Sequence, residues 1–143
     1  AAGSSLLFST EFYVLAKRHL NPGGVLQMWF PGGEDATARA VLRSIHESFP
    51  YVRGFPSIEG WGVHLIASME PIGPLDAGQL AARMPESAKK DLTEWTPSQD
   101  ATAYLRAVLT NGFPVVNFLD PDPKIQVTDD QPFNEYFLLR RMK

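Results

Sequence analysis

The side chains here that could serve a ligand are carboxylates, aromatic faces and imidazoles. Asp129, Asp130 and Glu135 form the most concentrated acidic group. Acids that close together attract an ammonium group, so one reading makes them an amine anchor at the mouth of a site. Turn chemistry gives the plainer account, and the spacing favours it. Asp130 then caps a turn before Pro132, and Asn134 and Glu135 bond local backbone. Glu59 and Trp61 share a short loop that follows Phe55. A carboxylate between two aromatic rings suits a cation. A solvated loop acid and ordinary packing of Phe55 are the simpler alternatives. Trp29 stands next to the last residue of an apolar run and could floor a pocket beyond the carboxyl end of a strand. His19, His46 and His64 are far apart and match no zinc ligand spacing. The acids are too sparse for a calcium loop.

Bulk properties narrow the function classes. The 143 residues amount to one domain, with 44% apolar and 20% charged side chains. A net charge of -3 argues against a nucleic-acid surface, which needs a concentrated basic face. The absence of cysteine excludes disulfides and thiolate metal sites. No apolar run approaches the roughly 20 residues of a membrane span. The opening Ala1–Ser5 carries no charged-then-apolar leader and reads as an exposed linker. A cytoplasmic location is therefore expected for this stretch, with a membrane tether on a longer parent left open.

Those residues must be held by elements legible in order. Phe8, Phe12, Leu15, Ala16 and Leu20 fall at helical spacing, with Ser9 and Thr10 as capping hydroxyls. Asn21-Pro22-Gly23-Gly24 ends that helix. Val25–Phe30 is nearly continuous in apolar character, which predicts a strand covered on both faces, as in parallel sheets. Pro31-Gly32-Gly33 leads to a helix capped by Asp35, with Ala38, Val41, Leu42, Ile45 and Phe49 on one stripe. A phosphate at that helix start is disfavoured, because Glu34 and Asp35 stand where the anion would sit. Residues 51–55 and 61–69 read as an antiparallel pair of strands. In the second, Val63, Leu65 and Ala67 alternate with His64, Ile66 and Ser68. Residues 70–98 break into short helical pieces, one started by the capping-box pair Asp76 and Gln79. Ser98 is expected to cap a helix over 101–110, and Val115–Leu119 to form a short strand. The whole is expected to be a sheet with flanking helices plus a small helical appendage.

Three stretches together resemble a known family. The run LFSTEFYVLAKRHLNPGGVLQMW, residues 7–29, is similar to the middle of spermidine synthase-like proteins. Phe55-Pro56-Ser57-Ile58-Glu59-Gly60-Trp61-Gly62 resembles the loop and strand that close the polyamine side of those enzymes. Thr128-Asp129-Asp130-Gln131-Pro132-Phe133-Asn134-Glu135-Tyr136 resembles the C-terminal signature of a branch often fused to membrane transporters. The resemblance spans residues 4–70 and 125–141.

It implies an α/β fold. The chain would be the C-terminal half of a Rossmann-like, class I methyltransferase-type sheet, with residues 61–69 lying between the strands at 24–30 and 51–55. It implies an aminopropyl transfer from decarboxylated S-adenosylmethionine to a polyamine nitrogen. Such a nitrogen must lose a proton to a nearby base. In the family, that base and the nucleoside contacts lie upstream of Leu6, and the acidic catalytic loop would fall before Ala1. No catalytic residue and no cofactor site is then expected in this chain. The acceptor-side wall would be drawn from Trp29, Phe55, Glu59, Trp61, Asp129 and Asp130, with Phe55 at a position where an aromatic lines the polyamine channel. The family's strand normally carries a glutamine near its carboxyl end. Here Gln27 comes earlier, and Met28 and Trp29 take those places, which counts against spermidine synthase specificity proper. Two other functions compete: a non-catalytic binding or assembly module that pairs with itself or with a missing N-terminal half, and part of an S-adenosylmethionine-dependent methyltransferase, since one fold serves both chemistries.

Overall fold

The computed structural model describes residues 5–58, 60–96, 100–122 and 124–132. After a 3-10 turn at Ser5–Phe8, the elements are α1 (Thr10–His19), β1 (Val25–Phe30), α2 (Asp35–Ser48), β2 (Tyr51–Pro56), β3 (Val63–Ser68), α3 (Ala77–Arg83), α4 (Glu86–Thr93), α5 (Ala101–Thr110) and β4 (Phe113–Pro114), followed by a 3-10 turn at Val115–Phe118. The sheet order is β1-β3-β2-β4, and every neighbouring pair is antiparallel. As expected, β3 lies between β1 and β2. The fold is mixed α/β. Its strand pairings are antiparallel, so a parallel Rossmann-like sheet is not what these strands form among themselves.

Local chemistry sets most boundaries. Ser9 caps α1 by accepting from the Phe12 N–H at 3.1 Å. The stripe on α1 is turned from the expected one: Tyr13 is fully buried, whereas Leu15 is half exposed. Tyr13 packs edge-on against Phe49, and that contact fixes which side of the helix faces in. Its buried hydroxyl has no hydrogen-bond partner among the described residues, and burial pushes the phenol above its usual range. Glu34, not Asp35, is the capping residue of α2, and Asp35 sits in the first turn. The expected α2 stripe is buried or packed against the core, and Ala40 and Ser44 join it.

The core lies between α1, α2 and one face of the sheet. Leu26, Met28 and Phe30 of β1 face it with Val63, Leu65 and Ala67 of β3 and Val52 of β2. A fully buried leucine such as Leu65 contributes roughly 1.5–3 kcal/mol. Gly54 leaves room for the Phe113 ring: a Cβ on it would stand 2.3 Å from that ring, which would have to shift.

β1 corrects an expectation. Its burial alternates, so it is not covered on both faces, and among the described strands it stands at the edge of the sheet, as the assembly-module reading requires. Val25, Gln27 and Trp29 point to the opposite, open face, where no helix among the described residues covers them. The unbroken apolar run hid a period of two, because two residues on the open side are themselves apolar.

The helical appendage is observed. α5 packs on α3, α4 and β2. Asp76 caps α3 by accepting from the Gln79 N–H at 2.8 Å. Asp100 caps α5 through the N–H groups of Thr102 and Ala103. The expected cap Ser98 lies outside the described residues. Val115–Leu119 is not a strand. The extended pairing stops at Pro114, which has no N–H for a further ladder bond, and the chain turns into a 3-10 helix. The tail then returns to the core, with Val127 fully buried.

Candidate functional site

The open face of the sheet carries one organised cluster. The β2–β3 loop is drawn tight where the Ser57 N–H donates to the Gly62 carbonyl at 3.1 Å. Gly62 has a φ of 79°, a conformation that costs other residues strain. It also admits the Trp29 indole: a Cβ there would stand 2.7 Å from Nε1. Trp29 and Trp61 meet edge to face, with centroids 4.9 Å apart. Trp29 Nε1–H donates to Ser57 Oγ at 3.3 Å. One pair of residues along β1, the Gln27 amide nitrogen donates to His64 Nδ1 at 3.1 Å.

Trp29, Ser57, Trp61 and His64 line a shallow cleft of about 280 Å³. It lies at the carboxyl end of β1. Its lining is two indoles with a few convergent polar groups, the usual composition of a small-molecule site. Both tryptophans keep exposed surface, Trp29 at 38% and Trp61 at 59%.

Phe55 joins this row across the sheet. It stands opposite His64 on β2, as Trp29 stands opposite His64 on β1. Its ring is buried beneath Gly112 at the end of α5 and lies 5.3 Å from the Arg53 guanidinium. Phe55 therefore backs the row from beneath the appendage, while the tryptophans are open. Glu59 and Glu135 lie outside the described residues.

Asp129 and Asp130 are placed elsewhere. The Asp129 N–H donates to Glu11 Oε2 at 3.1 Å, at the start of α1. Asp130 is exposed in the turn between Thr128 and Gln131. The side chain that caps this turn is Thr128, whose Oγ1 accepts from the Gln131 N–H at 3.0 Å. Slight burial opposes the charge on Glu11. The N–H groups of Glu11 and Asp129, with the Thr10 and Ser9 hydroxyls, outweigh it and hold the carboxyl below its ordinary value. The Asp129 backbone N–H thus serves the helix start, and neither Asp129 nor Asp130 lines the tryptophan cleft.

Sequence reasoning missed Ser57 and His64, and it set Gln27 aside as out of place. The signal was present: Gln27 and Trp29 are two residues apart on one strand, so they share a face. A larger cavity of about 730 Å³ opens among α3, α4 and α5. Its walls are small residues with both signs of charge, and Lys89 and Glu86 pair at 2.6 Å, so it presents no single chemistry. No group of three or more metal-ligating side chains occurs among the described residues, nor any helix long and apolar enough to cross a membrane. Comparison of the chain with protein-family models and with curated proteins finds no match.

Proposed function

We propose that this chain is the C-terminal half of a spermidine synthase-like aminopropyltransferase and supplies the acceptor-side wall of its site. The observation that carries the reading is the strand order. β1 and β2 both run antiparallel to the β3 between them, so they run parallel to each other, with α2 as the crossover. That is the arrangement the family resemblance implies for the last strands of a class I methyltransferase-type sheet. The remaining parallel strands would then join at the outer edge of β1. In this reading an amine acceptor lies along the indoles of Trp29 and Trp61, whose faces attract ammonium groups, with Phe55 behind. The propylamine donor, decarboxylated S-adenosylmethionine or a relative, would be held by the upstream half, and no residue of this chain is assigned to it.

The chain alone should then bind but not turn over. Incubated with decarboxylated S-adenosylmethionine and putrescine, it should form no spermidine above the blank when products are followed by mass spectrometry. Measurable turnover by the isolated chain would sink the reading.

A second reading, an assembly module, has its own support. β1 reads Val-Leu-Gln-Met-Trp-Phe, with no charge and no proline, and its register with β3 has no bulge. Natural edge strands usually carry such protection against pairing. An edge without it suits a partner strand, from a second copy or from an upstream half of the same protein.

A further inference from the structure

The direction of the hydrogen bonds around the cleft can be read from what each group is able to do. An amide nitrogen only donates, so the Gln27 contact makes His64 Nδ1 the acceptor. In the neutral ring the proton then sits on Nε2. The Trp29 indole nitrogen also only donates, so Ser57 Oγ is its acceptor and the serine keeps its own O–H to give. Among the described residues neither the His64 Nε2–H nor the Ser57 hydroxyl hydrogen has a partner, and both residues line the cleft. No carboxylate lines it among those residues. The polar hydrogens on offer are therefore the Ser57 O–H and the His64 Nε2–H, beside two indoles. An ammonium brings three donors and no acceptor, so it can use only the second lone pair of Ser57 Oγ and neither of these two hydrogens. A carbonyl oxygen, with two lone pairs, can use both.

We propose that this cleft selects mono-acylated amines over free diamines. The amide oxygen accepts from Ser57 Oγ–H and His64 Nε2–H, and the acyl group and the first methylenes lie against Trp29 and Trp61. The free ammonium end extends away from the cleft. A volume of about 280 Å³ is at the low end for ligand sites, in keeping with a short acyl head and part of its stem. The inference rests on the amine-acceptor reading above and amends it in one respect: the indoles of the cleft hold the acyl end of the acceptor, and its ammonium lies beyond them.

The test is a titration of the full chain with N-acetylputrescine and with putrescine, read on the indole N–H signals in a ¹⁵N–¹H spectrum. Trp95, 87% exposed and outside the cleft, serves as the internal reference. The signals of Trp29 and Trp61 should move with the acetylated amine at about a tenfold lower concentration than with putrescine, as two net hydrogen bonds would give. Ser57→Ala and His64→Phe should each bring that ratio towards one. The wild-type ratio decides the matter by itself if a variant fails to fold. Putrescine binding as tightly as its acetylated form overturns the preference and leaves the amine wall standing. A preference that persists undiminished in both variants overturns the assignment of the two donors. If neither amine moves the indole signals, the preference and the amine-wall reading fall together.

Discussion

Ser44→Ala should lower the stability of the chain by about 1–3 kcal/mol, a large loss for the removal of one oxygen atom. Ser44 is fully buried on α2. Its hydroxyl accepts from the Val127 N–H at 2.6 Å and donates toward the carbonyls of Ala40 and Val127, at 3.0 and 3.2 Å. Val127 is itself fully buried, and its carbonyl also receives the N–H of Thr10 at the start of α1. One serine thus ties the returning tail to both helices of the core layer. The alanine variant leaves the Val127 N–H buried without a partner, and that desolvated donor is what the fold loses. Urea denaturation checks this: the midpoint should fall while the slope stays unchanged, as expected when the extent of unfolding is the same. An unchanged midpoint would mean that the tail does not dock through Ser44.

Gly62→Ala should be costly as well, and its effect should appear in the tryptophan cleft. The positive φ of 79° costs an L-residue roughly 1–2 kcal/mol. The added Cβ would also stand 2.7 Å from Trp29 Nε1 and 3.0 Å from the Phe30 carbonyl oxygen. The carbonyl belongs to the paired β1 backbone and cannot yield easily, so the indole must swing away. Overpacking of this kind adds about 1–3 kcal/mol. The displaced ring would lose its bond to Ser57 and its edge contact with Trp61. Near-ultraviolet circular dichroism should lose intensity in the tryptophan region while the far-ultraviolet signal persists. An unaltered near-ultraviolet spectrum would show that Gly62 does not set the position of Trp29.

Elements with strong local signals were legible in the sequence, and features set by neighbours were not. The Ser9 cap, the α2 stripe and the alternation of β3 each follow from a few adjacent residues, and all are observed. The antiparallel pairing of β2 with β3 followed from the short loop between them. The misread elements depend on distant partners. Leu15 belongs to an apolar pattern but faces out, because Tyr13 takes the core position against Phe49. β1 read as doubly buried because Val25 and Trp29 are apolar, and only the alternating burial shows that one of its faces is open. The cleft was half legible. Trp29 and Trp61 were picked for their type and meet in space, but Ser57 and His64 entered only when the strands were laid side by side. Asp129 drew notice as an acid, yet the group it contributes is its backbone N–H, which sequence does not distinguish.

The proposed function depends above all on the outer edge of β1 being a vacant pairing position, and residue-resolved hydrogen exchange measures that directly. In dilute solution of the chain, the amides of Val25–Phe30 should fall into two alternating classes. Those facing β3 should be protected, and those facing outward should exchange near the rate of an unfolded peptide. Protection of the outward class should rise with concentration if copies pair there, and should be present throughout when an upstream half is attached. Uniform protection of all the β1 amides in a dilute, monomeric chain would mean that the edge is already satisfied, and would contradict the account.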